Sequence, residues 1–165
     1  MEGREKREET RGNGRSLMTK YKHPGWVLVV MYAQDTGRVL MLQRRDEAGC
    51  WQAVTGSLGP GESPAQAARR EVREETGLDI DAEGFPLVDC RQEITFEIFH
   101  HYRHRYAPGV THNQEHWFLL PLPTGLPVTL TEHLSCQWLP AEQAAVLTKS
   151  WSNREAIERF LMDPP

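Results

Sequence analysis

The chain has 165 residues, about one domain at a typical length of roughly 150 residues. Hydrophobic residues make up 39% of it, so disorder throughout is excluded. The longest apolar run, Trp26 to Ala33, is far shorter than the roughly 20 residues that cross a bilayer, so we expect a soluble protein with no membrane partner. The formal net charge of -4 argues against binding to nucleic acid polymers and, taken alone, against phosphate ligands as well.

Residues 1–17 mix basic and acidic side chains without an apolar stretch, so they predict a flexible charged extension rather than a signal peptide. The folded part is then predicted to be a single domain over residues 18–165, and Met18 is a second candidate for the start of translation. The three cysteines, at positions 50, 90 and 136, lack the paired spacing of a disulfide framework or a zinc site. We therefore expect a protein of the reducing cytoplasm.

Apolar, β-branched runs predict the strands. Trp26–Ala33 and Val39–Gln43 flank a turn that contains Asp and Gly, and together they predict a hairpin of two buried strands. A strand from Ile94 to Tyr102 is indicated by alternation of apolar and polar residues at its start. Further strands are predicted at Trp51–Thr55, Leu87–Asp89 and His116–Leu122.

Three helices are predicted from their end signals. Ser63 and Gly77 have the properties of an N-cap and of a left-handed C-terminal residue, and they bound a helix over Pro64–Thr76. A second helix is predicted over Ala141–Leu147, and a third begins at Ser152, where a capping-box sequence starts. Strands mixed with a few helices indicate the α/β class, with a sheet covered by helices.

The first helix carries three carboxylates on one side. At about 100° per residue, Glu71, Glu74 and Glu75 project within one arc of roughly 100°. Such like charges repel one another, so something must offset them. Arginines of the same helix could screen them on a solvated surface. A hard divalent cation such as Mg²⁺, which prefers several carboxylate oxygens together with phosphate, is the functional alternative.

The spacing around this helix decides between these two readings. Five residues separate Gly56 from Glu62, and seven separate Glu62 from Arg70-Glu71-Val72. Glu74-Glu75 and then Gly77-Leu78 follow, each after one intervening residue. This segment resembles the Nudix box, G-x5-E-x7-R-E-U-x-E-E-x-G-U with U aliphatic, at every specified position. At ordinary residue usage a chance match is on the order of 10⁻⁹ per window. The chain therefore resembles the Nudix hydrolase family.

The resemblance implies a fold, a chemistry and a set of residue roles. Nudix enzymes hydrolyse nucleoside diphosphates linked to another moiety, use divalent metal on this loop and helix, and fold as an α/β/α sandwich around a mixed β-sheet. An ion pair between Glu62 and Arg70 is implied to hold the loop against the helix. The carbonyl oxygen of Gly56 is implied as a further metal ligand.

Segments outside the box are similar to a bacterial Nudix subfamily: VLVVMYAQDTGRVLMLQRRDEAGCWQAVTGS, FEIFHHYRHRYAPGV and LTKSWSNREAIERF. This similarity implies Mg²⁺-dependent hydrolysis of dihydroneopterin triphosphate to the monophosphate and pyrophosphate, a step of folate biosynthesis, with Mn²⁺ as a substitute ion. The alternative is a pyrophosphohydrolase for dATP or damaged nucleotides. A third reading, from another class, is an inactive Nudix domain that only senses a nucleotide.

The same similarity implies the site residues, and it leaves the oligomeric state open. The metal ligands and catalytic residues are four carboxylates: Glu71, Glu74, Glu75 and Glu132. Glu115 is the alternative to Glu132, because it immediately precedes a predicted strand, and we favour Glu132. The implied substrate contacts for a small-molecule triphosphate are Lys22, Arg44, Thr55, Phe96, Glu97, Ile98, Phe99 and Ser150.

Overall fold

Seven strands form one sheet in the computed structural model, which describes residues 21–162. The predicted extension 1–17 lies outside the described residues, so its boundary stays a prediction. The strands are β1 (Gly25–Ala33), β2 (Val39–Arg44), β3 (Trp51–Gln52), β4 (Val54–Ser57), β5 (Val88–Glu97), β6 (His112–Leu122) and β7 (His133–Leu139).

The sheet is mixed, as expected. Its strand order is β3-β2-β1-β6-β5, with β4 added to β1 and β7 added to β2. Only the long β1–β6 ladder is parallel, and the other pairs of this sheet are antiparallel. The predicted antiparallel pairing of β1 with β2 is confirmed, although its register joins only Tyr32 to Val39.

Four α-helices accompany the sheet within residues 21–162: α1 (Pro64–Thr76), α2 (Ile80–Glu83), α3 (Ala141–Leu147) and α4 (Trp151–Ile157). A π-helical turn, Glu158–Met162, continues α4, and a 3₁₀ helix spans His100–Arg105. The predicted capping of α1 is confirmed, since Ser63 accepts a hydrogen bond from the backbone of Gln66 and Gly77 has a φ of 78°. None of the helices within residues 21–162 is long and apolar enough to cross a membrane.

Helices cover both faces of the sheet, which confirms the expected sandwich. On one face α1 buries Ala67, Ala68 and Val72 against β1, β4 and β6. On the other face α3 and α4 pack over Trp117 and its neighbours. The two clusters are joined through a sheet whose central strand, β1, is buried along most of its length. This arrangement fixes α1 against the ends of β1 and β4, where the site lies.

Several strands differ from the predictions. The predicted strand Trp51–Thr55 is divided into β3, which pairs with β2, and β4, which pairs with β1, and β6 begins at His112 rather than at His116. The two segments predicted as separate strands belong to one strand, β5. Its pairing with β6 is interrupted by a bulge between Asp89 and Glu93, where Arg91 has a φ of 55°. The predicted strand up to Tyr102 is wrong in its second half, where the chain turns into the 3₁₀ helix. β7 was not predicted, because its sequence carries no β-branched residue.

The last helix begins earlier than predicted. Ser150, not Ser152, is its N-cap and accepts a hydrogen bond from the backbone N–H of Asn153 at 3.3 Å. The side chain of Asn153 is buried and accepts a hydrogen bond from the backbone of Ala53, at 2.8 Å. This long-range contact anchors the first turn of α4 to the sheet, so Ser152 lies inside the helix and is buried.

Candidate active site

A cavity of about 930 Å³ opens at the edge of the sheet where β1, β4 and β6 approach α1 and α4. All twelve residues that the sequence assigned to the site line this one cavity, although they come from most of the length of the chain. They are Lys22, Arg44, Thr55, Glu71, Glu74, Glu75, Phe96, Glu97, Ile98, Phe99, Glu132 and Ser150. Their individual roles remain predictions.

The three carboxylates of α1 differ in their burial. Glu74 is half exposed, whereas Glu75 is only 3% exposed and its Oε1 has no hydrogen-bond partner among the described residues. Burial, and then the neighbouring carboxyl of Glu71, raise the pKa of Glu75 far above its usual range. The helix therefore holds a carboxyl group that is stabilised as an anion only when a positive charge comes close.

Arg70 joins the loop before α1 to the carboxylates of the helix. Its guanidinium donates to both oxygens of Glu62, at 2.7 and 2.9 Å, and to the carbonyl of Ser57 at 2.9 Å. The predicted Glu62–Arg70 ion pair is thus confirmed. The same side chain donates to Glu71 at 2.9 Å and to Glu74 at 3.1 Å, so one arginine sets the positions of three acidic groups.

Gly56 makes room for one of these groups. A β-carbon at position 56 would overlap the carboxyl group of Glu71, which packs directly over the backbone of β4. Only glycine permits this approach. The carboxyl group of Glu71 consequently lies against the backbone of Gly56, and the metal role of the Gly56 carbonyl stays a prediction.

Comparison with known proteins agrees with this geometry. The model of the NUDIX domain matches residues 21–160. The chain belongs to the Nudix family. The dihydroneopterin triphosphate diphosphatase of Escherichia coli K12 is 59% identical over 143 residues, covering 87% of this chain and 95% of the relative. The protein of that name from Haemophilus influenzae is 47% identical, covering 89% and 93%.

The solved structures place the fold in the same family. The E. coli dihydroneopterin triphosphate pyrophosphohydrolase is 58% identical in sequence and superposes with a TM-score of 0.82, covering 87% of this chain and 99% of that one. A Caenorhabditis elegans Ap4A hydrolase, 23% identical, shares the fold with a TM-score of 0.63, covering 82% of this chain and 93% of that one. The chain is therefore a Nudix pyrophosphohydrolase with the expected mixed sheet and flanking helices.

Nudix hydrolases generally use divalent metal ions, and the residues of this Nudix box fit one. Oε1 of Glu75 is buried without a hydrogen-bond partner among the described residues, and the carboxyl group of Glu71 packs on Gly56. Carboxylate oxygens of this kind are the hard ligands that a divalent ion prefers. Within residues 21–162 no three acidic, His or Cys side chains form a ready metal-binding group. Arg70 holds Glu71 and Glu74 by hydrogen bonds on the same side of the helix.

The opposite wall of the cavity is basic. Partial burial, and then the positive charge of Arg105, lower the pKa of Lys22. Arg44 ends β2 and forms an ion pair with Asp46, whose Oδ1 lies 2.9 Å from the arginine Nε. Lys149, which the sequence did not suggest, also lines the cavity. These cations line the same cavity as the carboxylates, and they suit a polyphosphate ligand.

Aromatic side chains form the remaining wall. The rings of Phe96 and Trp151 meet edge to face, with their centroids 6.4 Å apart. Trp26 also lines the cavity, and its Nε1 donates to the hydroxyl of Tyr106 at 3.2 Å. Phe99 is 70% exposed at the rim. The cavity therefore has a wall that favours a flat ring next to the charged walls.

The two acids from outside the box lie in different environments. Glu132 is exposed in the loop before β7 and contributes to the raised pKa of Glu75. Glu115 is only 4% exposed on β6, and its Oε1 accepts a hydrogen bond from Nε1 of Trp117 at 3.0 Å. Burial raises the pKa of Glu115, while its hydrogen bonds to Ser152 and Trp117 lower it. Of the two, Glu132 is the one whose charge acts on Glu75.

Several cavity residues were missed by sequence reasoning. His133 is buried, and its Nε2 lies 3.9 Å from Oε1 of Glu75. Sequence reasoning missed it because β7, to which it belongs, was not predicted. Asn113 could have been found through Glu115, which the sequence did suggest, since polar residues two apart at the start of an apolar strand point to the same side of a sheet.

Proposed function

We propose that this protein hydrolyses dihydroneopterin triphosphate to dihydroneopterin monophosphate and pyrophosphate, the folate-pathway step implied by its sequence. The observation that carries the proposal is the 59% identity to the E. coli diphosphatase over 95% of that protein. The cavity supports it, because a basic wall, an acidic helix and an aromatic wall face one another at a size suited to a small triphosphate.

The chain's own residues bind and orient the substrate. Lys22 and Arg44 bind the phosphate oxygens, and the ring lies in the aromatic wall that includes Phe96. Thr55 and Ser150 add polar contacts, and the remaining contacts come from the segment after Phe96, namely Glu97, Ile98 and Phe99. Held in this way, the phosphoanhydride bond lies over α1, and alignment reduces the entropic part of the barrier.

We propose Mg²⁺ as the metal, with Mn²⁺ as a substitute, held by Glu71, Glu74, Glu75 and Glu132. The ion supplies neutralisation of the phosphate charge and polarisation of the attacking water when it is bound. Arg70 keeps the helix carboxylates in position. Glu132, exposed at the cavity wall, accepts the proton of the water as its oxygen bonds to phosphorus and the bond to the leaving pyrophosphate breaks.

A location in the cytoplasm is part of the same proposal. It is supported by the three cysteines, Cys50, Cys90 and Cys136, all of which are free thiols. The partner is a small-molecule triphosphate rather than a nucleic acid polymer, in agreement with the excess of acidic over basic residues.

The test is pyrophosphate release from dihydroneopterin triphosphate, dATP and 8-oxo-dGTP, each with Mg²⁺, with Mn²⁺ and with a chelator. We expect the highest kcat/KM for dihydroneopterin triphosphate and no release with the chelator. A higher kcat/KM for either nucleotide would instead assign the protein to nucleotide hydrolysis. Tight binding without release from any of the three would identify an inactive sensor.

A further inference from the structure

Two buried polar residues of β6 line the cavity beside its aromatic wall, and the proposed reaction does not use them. Asn113 is 3% exposed and Glu115 is 4% exposed, yet both border the cavity. They are two residues apart on one strand, so their side chains project from the same face of the sheet, about 7 Å apart along the strand. Polar groups so deeply buried require partners.

The hydrogen bonds around them leave buried acceptor groups that can take further donors. The amide nitrogen of Asn113 donates to the hydroxyl of Tyr106 at 3.2 Å, while its Oδ1 has no partner among the described residues. The carboxyl group of Glu115 is oriented by the indole N–H of Trp117 and by Ser152. The pair thus offers a carbonyl oxygen and a carboxylate to a ligand that carries N–H donors.

Aromatic residues border both acceptors. Phe96 is the cross-strand partner of Asn113 on β5, and Trp26 is the neighbour of Glu115 on β1. Paired residues project to the same side of a sheet, so both rings lie next to the polar pair. Trp151 contacts Phe96 from the start of α4. A flat heterocycle that stacks in this wall would present its edge to Asn113 and Glu115.

The pair is also at a suitable distance from the Nudix helix. Trp26 pairs with Glu115 on one side and with Ser57 of β4 on the other, next to Gly56. Two strand spacings of about 4.8 Å put Glu115 roughly 10 Å from the backbone on which Glu71 packs. Side chains alternate along β4, so Gly56 and Ser57 face opposite sides of the sheet, and a ligand reaches from Glu115 to Glu71 through the cavity that both residues line.

We propose that Glu115 and Asn113 determine the ring specificity of the enzyme by accepting hydrogen bonds from the amino-pyrimidinone edge of the substrate. This inference rests on the proposed function. The pterin ring carries an N–H and an adjacent amino group, a pair that a carboxylate accepts in a bidentate manner. Guanine carries the same pair. Adenine presents an acceptor nitrogen beside its amino group, and that nitrogen would face the carboxylate without a proton between them.

The first test is Glu115→Gln, which keeps the shape of the side chain and the oxygen that accepts from Trp117. We expect KM for dihydroneopterin triphosphate to rise by at least about 10-fold, because an amide can accept only one of the two N–H groups. KM for dATP should change less than about 3-fold, since an amide can pair with adenine through one donor and one acceptor. An equal change for both substrates, or none for the pterin, would overturn the inference.

Glu132→Gln is the matched control, since it makes the same chemical change at the metal end. It should lower kcat for every substrate by the same factor. If Glu115→Gln instead lowers kcat equally for all substrates, Glu115 is assigned to the chemical step. The wild-type enzyme is assayed in parallel. If the proposed function is wrong, the wild type itself prefers a nucleotide, and this result is distinct from a failure of the inference about Glu115.

A second measurement needs no variant. The nucleotides dGTP and dITP differ only in the amino group that we expect Glu115 to bind, so each is used as a competitive inhibitor of the wild-type enzyme. We expect the inhibition constant of dGTP to be at least about 10-fold lower than that of dITP, because a buried acceptor left without its donor is costly. Equal inhibition, including none by either, would contradict the role of Glu115.

Discussion

The carboxyl group of Glu71 fills the space in which a β-carbon on Gly56 would lie. Strand β4 and helix α1 are therefore in direct contact here, and the carboxyl group of Glu71 is fixed by packing as well as by its hydrogen bond from Arg70. Because Glu71 is also a proposed metal ligand, this contact links the fold directly to the chemistry.

Gly56→Ala should displace Glu71 and lower kcat by about 10²-fold, since small misplacements of catalytic groups have effects of this size. The measurement is Mg²⁺-dependent pyrophosphate release. Gly49→Ala is the control, because the nearest atom to its added carbon is the end of the Lys149 side chain at 3.6 Å. Equal turnover of Gly56→Ala and Gly49→Ala would show that the position of Glu71 is not critical.

Removing the charge of a proposed metal ligand should lower turnover while the protein still folds. For Glu71→Gln and for Glu75→Gln we expect a loss in kcat of at least about 10²-fold, because each loses a ligand and a negative charge. Glu83→Gln, an exposed acid at the end of α2, is the surface control and should retain full turnover. Near-wild-type turnover in both box variants would refute the metal assignment.

The raised pKa of Glu75 predicts how the stability of the metal-free protein depends on pH. In the unfolded chain this carboxyl ionises near its ordinary value of 4.5, whereas in the folded protein it keeps its proton to a much higher pH. The folded state then binds more protons than the unfolded state, so the free energy of unfolding falls as pH rises above about 5. We expect the Tm measured with a chelator to decrease from pH 5 to pH 8.

Glu75→Gln should remove most of that decrease and melt at a higher temperature than the wild type at pH 8 without metal. Added Mg²⁺ should raise the Tm of the wild type at pH 8 by more than that of the variant, because the ion stabilises the ionised carboxylate. If Glu75→Gln retains the pH dependence of the wild type, then Glu75 is not the buried acid responsible.

Arg70→Lys tests whether one arginine organises the acidic groups. A lysine cannot reproduce the two parallel hydrogen bonds to Glu62 or reach the carbonyl of Ser57 at the same time. We expect the free energy of unfolding to fall by about 1–3 kcal/mol and kcat to fall by about 10-fold. Chemical denaturation and pyrophosphate release measure the two effects.

Arg69→Lys on the same helix is the matched control. Arg69 forms an ion pair with Asp81, whose side chain is 74% exposed, so the substitution should change stability by less than about 0.5 kcal/mol. Equal losses in Arg69→Lys and Arg70→Lys would indicate a general effect of the substitution on α1 rather than a specific role of Arg70.

Local signals accounted for α1 and for the composition of the site. The cap at Ser63 and the left-handed Gly77 defined the bounds of α1, because both signals act over a few residues. Helical periodicity likewise placed Glu71, Glu74 and Glu75 on one side. The start of α4 was predicted incorrectly, since a contact between Asn153 and the distant Ala53 selects Ser150 as the cap.

The sequence by itself determined the Nudix box, the α/β class and twelve of the residues that line the cavity. Only the tertiary structure decided that Glu75 is buried while Glu74 is half exposed, and that Asn113 and Glu115 border the aromatic wall. Periodicity gives the direction of a side chain about its helix or strand, but burial depends on what distant segments pack against it. For the same reason the net charge of -4 wrongly argued against phosphate, because it sums the acidic helix and the opposing basic wall, which folding keeps apart.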